Sequence, residues 1–221
     1  MSAEQAFRRA DGGRIDKSKL VEFTFNGKRL SGYDGDTLAS ALLANGVRVV
    51  GRSFKLHRPR GIFSAGVEEP NALLGVDTGN GIIPISRATM VPLIGGLRAE
   101  SQNCFPSLKF DIGRVLDYTH RLWPAGFYNK TFKWPNWHTY EWAIRRSAGL
   151  GVLPKGQDAA RYRYMNAHCD VLVVGAGEAG VTAAVKAARD GKDVLLVEQE
   201  SQARHEIDAH PNIRQMFCST G

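Results

Sequence analysis

Cysteine is scarce in this chain. Cys104, Cys169 and Cys218 are the three among 221 residues, and no two of them stand as C-x-x-C. Such spacing argues against a thiolate metal site or a disulfide framework and fits free thiols in a reducing compartment. Long hydrophobic runs are absent as well. No stretch approaches the ~18 apolar residues of a membrane span, and Met1 to Leu20 lacks the apolar core of a secretion signal. A cytoplasmic protein with no membrane partner is expected. Acidic residues are the minority, 22 against 29 lysines and arginines, for a net charge of +7. A modest excess like this usually spreads over a surface, and it does not by itself call for a nucleic-acid partner.

What the chain does have is a glycine-rich turn in a telling context. Asp170-Val-Leu-Val-Val-Gly-Ala-Gly-Glu-Ala-Gly180 begins with four apolar residues, Val171 to Val174, that read as a buried parallel strand. Gly175, Gly177 and Gly180 follow in G-x-G-x-x-G spacing. The first permits a tight turn, the second lets backbone approach a pyrophosphate, and the third lets helix and strand pack closely. An Ala-rich helix is expected over Val181 to Arg189, with Ala183, Ala184, Ala187 and Ala188 inward and Gly191 as its stop. Val194 to Val197 reads as the next strand, with Glu198 at its carboxyl end. An acid some 20 residues after the glycines can bind ribose hydroxyls and repels a 2′-phosphate, which favours NAD or FAD over NADP. The plainer alternative is a glycine turn that binds nothing.

Upstream, residues 1–19 read as a mobile arm. Val21-Glu-Phe-Thr-Phe25 alternates, Asn26-Gly27 is a hairpin turn, and Lys28 to Tyr33 returns. Asp36 is a suitable N-cap for a helix over Thr37 to Asn45, ended by Gly46. A hairpin followed by a packed helix opens a β-grasp domain. Gly81 to Ile85 and Thr89 to Leu93 are expected to complete its sheet. Between them and the helix lies a basic loop with Arg52, Lys55, His57, Arg58 and Arg60. It reads as a solvated loop, or as a docking surface for a partner subunit or the second domain; the few aromatics nearby argue against nucleic acid. The segment from Phe105 to Leu153 carries Trp123, Trp134, Trp137 and Trp142, either as core or as an interface patch.

These residues together resemble the α subunit of heterotetrameric sarcosine oxidase. The resemblance is carried by Gly32-Tyr-Asp-Gly-Asp-Thr-Leu-Ala-Ser-Ala-Leu-Leu-Ala-Asn-Gly46, Ser53-Phe-Lys-Leu-His-Arg-Pro-Arg-Gly61, Glu69-Pro-Asn-Ala-Leu73, Pro124-Ala-Gly-Phe-Tyr128 with Lys130-Thr-Phe132, and His168-Cys-Asp-Val-Leu-Val-Val-Gly175. It implies an NAD-binding subunit whose β partner carries FAD and covalent FMN, with two smaller subunits completing the assembly. The implied reaction is oxidative demethylation of sarcosine to glycine. Amine oxidation falls to the flavin-bearing partner, so no residue here is assigned as catalytic. The implied NAD contacts are Gly175, Gly177, Gly180 and Glu198, with FAD the less favoured ligand.

Two departures qualify the resemblance. Related amine and amino-acid dehydrogenase subunits hold a 2Fe–2S cluster just after the basic loop, whereas Ile62 to Pro70 contains no cysteine. Clusters need thiolates, so a ferredoxin-like but cluster-free β-grasp domain is expected, with no metal ligand. After Glu200 the resemblance falters, as in a truncated or divergent subunit. The expected α/β organisation is an arm over 1–19, a β-grasp domain over 20–103, an aromatic-rich connector over 104–166, and the start of a Rossmann-type domain over 167–221. A non-catalytic assembly module and an α subunit for another amine or amino acid are the alternatives.

Overall fold

Alternating Val21, Phe23 and Phe25 place one side of β1 (Asp16–Phe25) against a core in which both phenylalanines are buried. Asn26 and Gly27 take φ of 48° and 76°, the left-handed pair that matches the twist of a two-residue hairpin. β2 (Lys28–Asp34) therefore returns antiparallel, with Phe25 opposite Lys28 and Val21 opposite Gly32. The computed structural model describes residues 5–11, 13, 15–77, 79, 81–122, 126, 131–149, 151–156, 163–199 and 210–217. It forms two compact units, Met1–Ala159 and Ala160–Gly221. Among the described residues no helix is long and apolar enough to cross a membrane.

The first unit is built on a five-stranded mixed sheet. Its order is β2, β1, β7 (Arg98–Ser101), β5 (Leu73–Asp77) and β6 (Ile82–Arg87), with β1 and β7 parallel. Helix α1 (Leu38–Ala44) lies on this sheet and buries Leu38, Ala41 and Leu42 completely. Gly32 lets it approach, since a Cβ there would stand 3.0 Å from Ala41 Cβ. Gly46 ends the helix at φ 74°, the left-handed conformation that glycine adopts without penalty.

Three sequence expectations change here. Thr37, not Asp36, caps α1: its hydroxyl accepts from Ser40 N–H while the Ser40 hydroxyl accepts from Thr37 N–H. Asp36 is instead fully buried as a side chain, pairs with Arg8 at 2.5 Å, and accepts from the Ser40 hydroxyl and Tyr33 N–H. The Arg8 partner shows that part of the expected arm is docked. Phe7 N–H donates to Ala44 O, the Gln5 amide to Ser31 O, and Asp16 already belongs to β1. Thr89 to Leu93 is a turn rather than a strand. Its neighbourhood is spent on α1, where Leu38 N–H donates to Val91 O and Ala39 N–H to Ala88 O, satisfying amides that a helix start leaves open. The strand that completes the sheet is β7.

The second unit is a parallel β-α-β-β arrangement. β8 (Val171–Val174), β9 (Val194–Val197) and β10 (Ile213–Met216) pair in the order β10-β9-β8, with Val171 opposite Val194 and Val194 opposite Ile213. The connecting helix spans Glu178–Arg189, three residues longer at its start than the alanine pattern implies, because Gly177 is its N-cap. Ala184 and Ala188 are buried against the sheet, but Ala183 is exposed. β9 is buried throughout, as a central parallel strand should be. β8 is not: Leu172 and Val174 are 52% and 65% exposed, so only one of its faces is covered by the described residues.

Candidate functional site

The glycine turn sits between β8 and the helix Glu178–Arg189. Gly175 takes φ 98° and donates its N–H to Val197 O, which anchors the turn to the tip of β9. Gly180 lies in the first helical turn against it. A Cβ at Gly180 would stand 1.9 Å from Gly175 O, a backbone atom that cannot move aside. Helix and strand thus pack at a distance only glycine allows. Gly177 is different. Nothing lies within 4 Å of where its Cβ would be, so the space over the turn is open to a ligand. The amides of the helix start point there with the positive end of the helix dipole.

Glu198 follows β9 directly, and its Oε2 accepts from Ala176 N–H at 2.6 Å. The structure therefore brings Gly175, Gly177, Gly180 and Glu198 to one end of the parallel sheet, the carboxyl end, where ligands of open α/β sheets bind. The contact between Glu198 and Ala176 was not visible in the sequence. It holds the carboxylate beside the turn. The residues present fit an adenosine diphosphate moiety.

The basic loop resolves into two kinds of residue. It forms a short ladder of β3 (Gly51–Arg52) and β4 (Pro59–Arg60). Arg52 and His57 are buried and are bonded within the chain. Arg52 donates to Leu108 O and His57 O, and its Nε lies 3.5 Å from Asp111 Oδ2. His57 Nδ1 lies 2.8 Å from the same oxygen, which puts the proton on Nδ1 because a carboxylate only accepts. Gly113 makes room for the imidazole: a Cβ there would stand 2.3 Å from His57 Nδ1. Arg58 pairs with Asp117 at 2.7 Å. The loop docks on residues 105–117 of its own chain.

The segment after it is organised by Glu69, to which the sequence reading gave no role beyond its place in the resemblance. Its carboxylate accepts from Phe63 N–H and Ser64 N–H through Oε2, and from Asn71 N–H and Ala72 N–H through Oε1, at 2.6–2.9 Å. Burial pushes this carboxyl up, but the four backbone donors outweigh it and hold it below the usual carboxylate range.

Trp134 and Trp142 are 83% and 69% exposed. Trp137 precedes the helix His138–Ser147 and meets Phe132 edge-on at 6.4 Å. These three indoles are therefore not core; Trp123 lies outside the described residues.

Residues 18–104 match the family model of a 2Fe-2S iron-sulfur cluster binding domain, and residues 170–203 match that of an FAD dependent oxidoreductase. A solved L-proline dehydrogenase from P. horikoshii aligns with 92% of this chain and 34% of its own at 18% identity and a TM-score of 0.48. The sarcosine oxidase subunit alpha of Rhizobium meliloti is 50% identical over 199 residues, 89% of this chain and 20% of that protein. That of Corynebacterium sp. strain U-96 is 37% identical over 198 residues, 87% of this chain and 16% of that protein. The chain is thus similar along most of its length to sarcosine oxidase α subunits, of which it spans about a fifth or less.

Proposed function

We propose that this chain is part of the α subunit of a sarcosine oxidase-like complex, where it holds an adenine dinucleotide and docks other subunits while the amine is oxidised elsewhere. The observation that carries this reading is the turn of Gly175, Gly177 and Gly180 with Glu198 bonded beside it. In a Rossmann-type site the turn and helix start hold the pyrophosphate, and Glu198 holds the adenosine ribose. NAD is the proposed ligand, on the sequence resemblance. FAD is the second reading, favoured by the oxidoreductase model over residues 170–203; both share the adenosine diphosphate that these residues would contact. The dinucleotide would bring redox chemistry, and the residues described here would bind and orient it.

Docking is supported by the exposed Trp134 and Trp142, together with Phe63 and Phe105 at 79% and 71% exposure. Aromatics at this exposure are what partner surfaces cover. The ferredoxin-like unit is read as cluster-free, with a β-type flavin-bearing subunit and smaller subunits as the partners. Purification of the chain from its source, followed by identification of the co-purifying chains and cofactors, tests this. The expected outcome is a hetero-oligomer that contains flavin and forms peroxide from sarcosine. A chain recovered without any flavin-bearing partner would contradict it and favour an assembly module. An assembly that oxidises a different amine or amino acid and ignores sarcosine would reassign the substrate.

A further inference from the structure

The loop that follows the basic segment is where, by the resemblance, related dehydrogenase subunits hold their cluster, and the residues present do not fit one. Iron–sulfur clusters are held by cysteine thiolates, and the first cysteine of this chain is Cys104, beyond the end of β7. Among the described residues no three His, Cys, Asp or Glu side chains come together as metal ligands. The loop has a different centre. Glu69 is 1% exposed, and its two oxygens accept four backbone N–H bonds from both ends of the loop, Phe63 and Ser64 on one side and Asn71 and Ala72 on the other. A carboxylate offers about four acceptor positions, so this one has none to spare for a cation. The Ala72 bond is buried and the other three are part-buried.

The rest of the loop holds the carboxylate in place. Glu69 N–H donates to Gly66 O, the Thr89 hydroxyl donates to the same oxygen at 2.8 Å, and Arg87 Nε donates to Glu69 O at 3.2 Å. Ala88 N–H closes onto Ala72 O. The negative charge is thus met by peptide dipoles.

We propose that the Glu69 carboxylate is the group around which residues 63–72 fold, and that its four N–H donors form a cage selective for a carboxylate. The inference rests on the cluster-free reading above. Its test uses Glu69→Ala in the full chain, which removes a CH2–COO⁻ group, the atoms of acetate. Hydrogen exchange at Phe63, Ser64, Asn71 and Ala72 is read together with thermal unfolding. The variant is expected to lose protection at these four amides and to melt ~5–10 °C lower. Sodium acetate is expected to restore part of both, where sodium chloride at equal ionic strength does not. If Glu69→Ala fails to fold, Glu69→Gln carries the test. It keeps the shape but turns an NH2 donor toward two N–H groups, so protection at one pair of amides is expected to fall. Unchanged exchange in the folded variant, or an acetate effect no larger than that of chloride, would overturn the role of Glu69 and leave the cluster-free reading standing. Stoichiometric iron retained by the unaltered chain through desalting would overturn both.

Discussion

Gly177→Val is expected to weaken binding of an adenine dinucleotide by ~100-fold or more, about 2.7 kcal/mol, while leaving the unfolding transition almost unmoved. The two halves of this result have separate causes. The position is sterically open, with no atom within 4 Å of a built Cβ, and its φ of −70° is one that any residue adopts. The fold therefore has no objection to a side chain there. The ligand has one, since the branched group would occupy the space where a pyrophosphate approaches the amides of the turn. Gly180 offers the contrast. Its Cβ would meet Gly175 O, so a loss of binding there would be confounded with a loss of structure. Titration of both forms with ADP, alongside thermal melts, checks the prediction. Equal affinity in the two forms would remove the turn from the site.

Asp111→Ala is expected to destabilise the first unit by ~3–5 kcal/mol, the range for breaking a buried charged cluster. Asp111 has no exposed side-chain surface, and it serves four donors. His57 Nδ1 and Arg52 Nε face Oδ2, while Phe105 N–H and Gly113 N–H donate to Oδ1. Removing the carboxylate leaves the buried Arg52 charge and His57 N–H, and the part-buried Phe105 and Gly113 N–H groups, with fewer partners. Arg52 keeps Leu108 O and His57 O, which is why the lower end of the range is the safer figure. Urea unfolding of Asp111→Ala beside Asp111→Asn checks it. A loss below ~1 kcal/mol in the alanine form would show that the basic loop is held in some other way.

The elements that could be read from the sequence are those whose signals are local. Asn26-Gly27 between alternating residues specified the hairpin, and both turn residues take the expected left-handed conformation. Val171 to Val174, the three glycines and Val194 to Val197 specified strand, turn and strand at the observed places. The run Ile213 to Cys218 also reads as a parallel strand, and β10 occupies Ile213–Met216 of it. β5 and β7 were missed because they are short and lack alternation. They are strands because β1 and β6 offer them edges, which no local pattern records. Asp36 was misread for a related reason. It is a favourable cap by residue type, but Arg8 and the Ser40 hydroxyl claim its oxygens.

The same distinction separates the sites. Glu198 became a candidate by its distance from the glycines, a spacing set by one β-α-β unit. Glu69 carries no such spacing, since its meaning depends on a loop closing from both sides. His57 and Asp111 are 54 residues apart, and sequence alone left the basic loop as either solvated or a docking surface.

Calorimetric titration of the chain with ADP, NAD, FAD and NADP is the most direct test of the proposed site. In the proposed site the residues described would contact only the part that ADP, NAD and FAD share, and Glu198 beside the turn would repel a 2′-phosphate. ADP, NAD and FAD are therefore expected to bind within about tenfold of one another, a spread of ~1.4 kcal/mol, and NADP more weakly than all three. Binding of NADP as tight as that of NAD, or no binding of any of the four, would contradict an adenine dinucleotide site at Gly175 to Gly180.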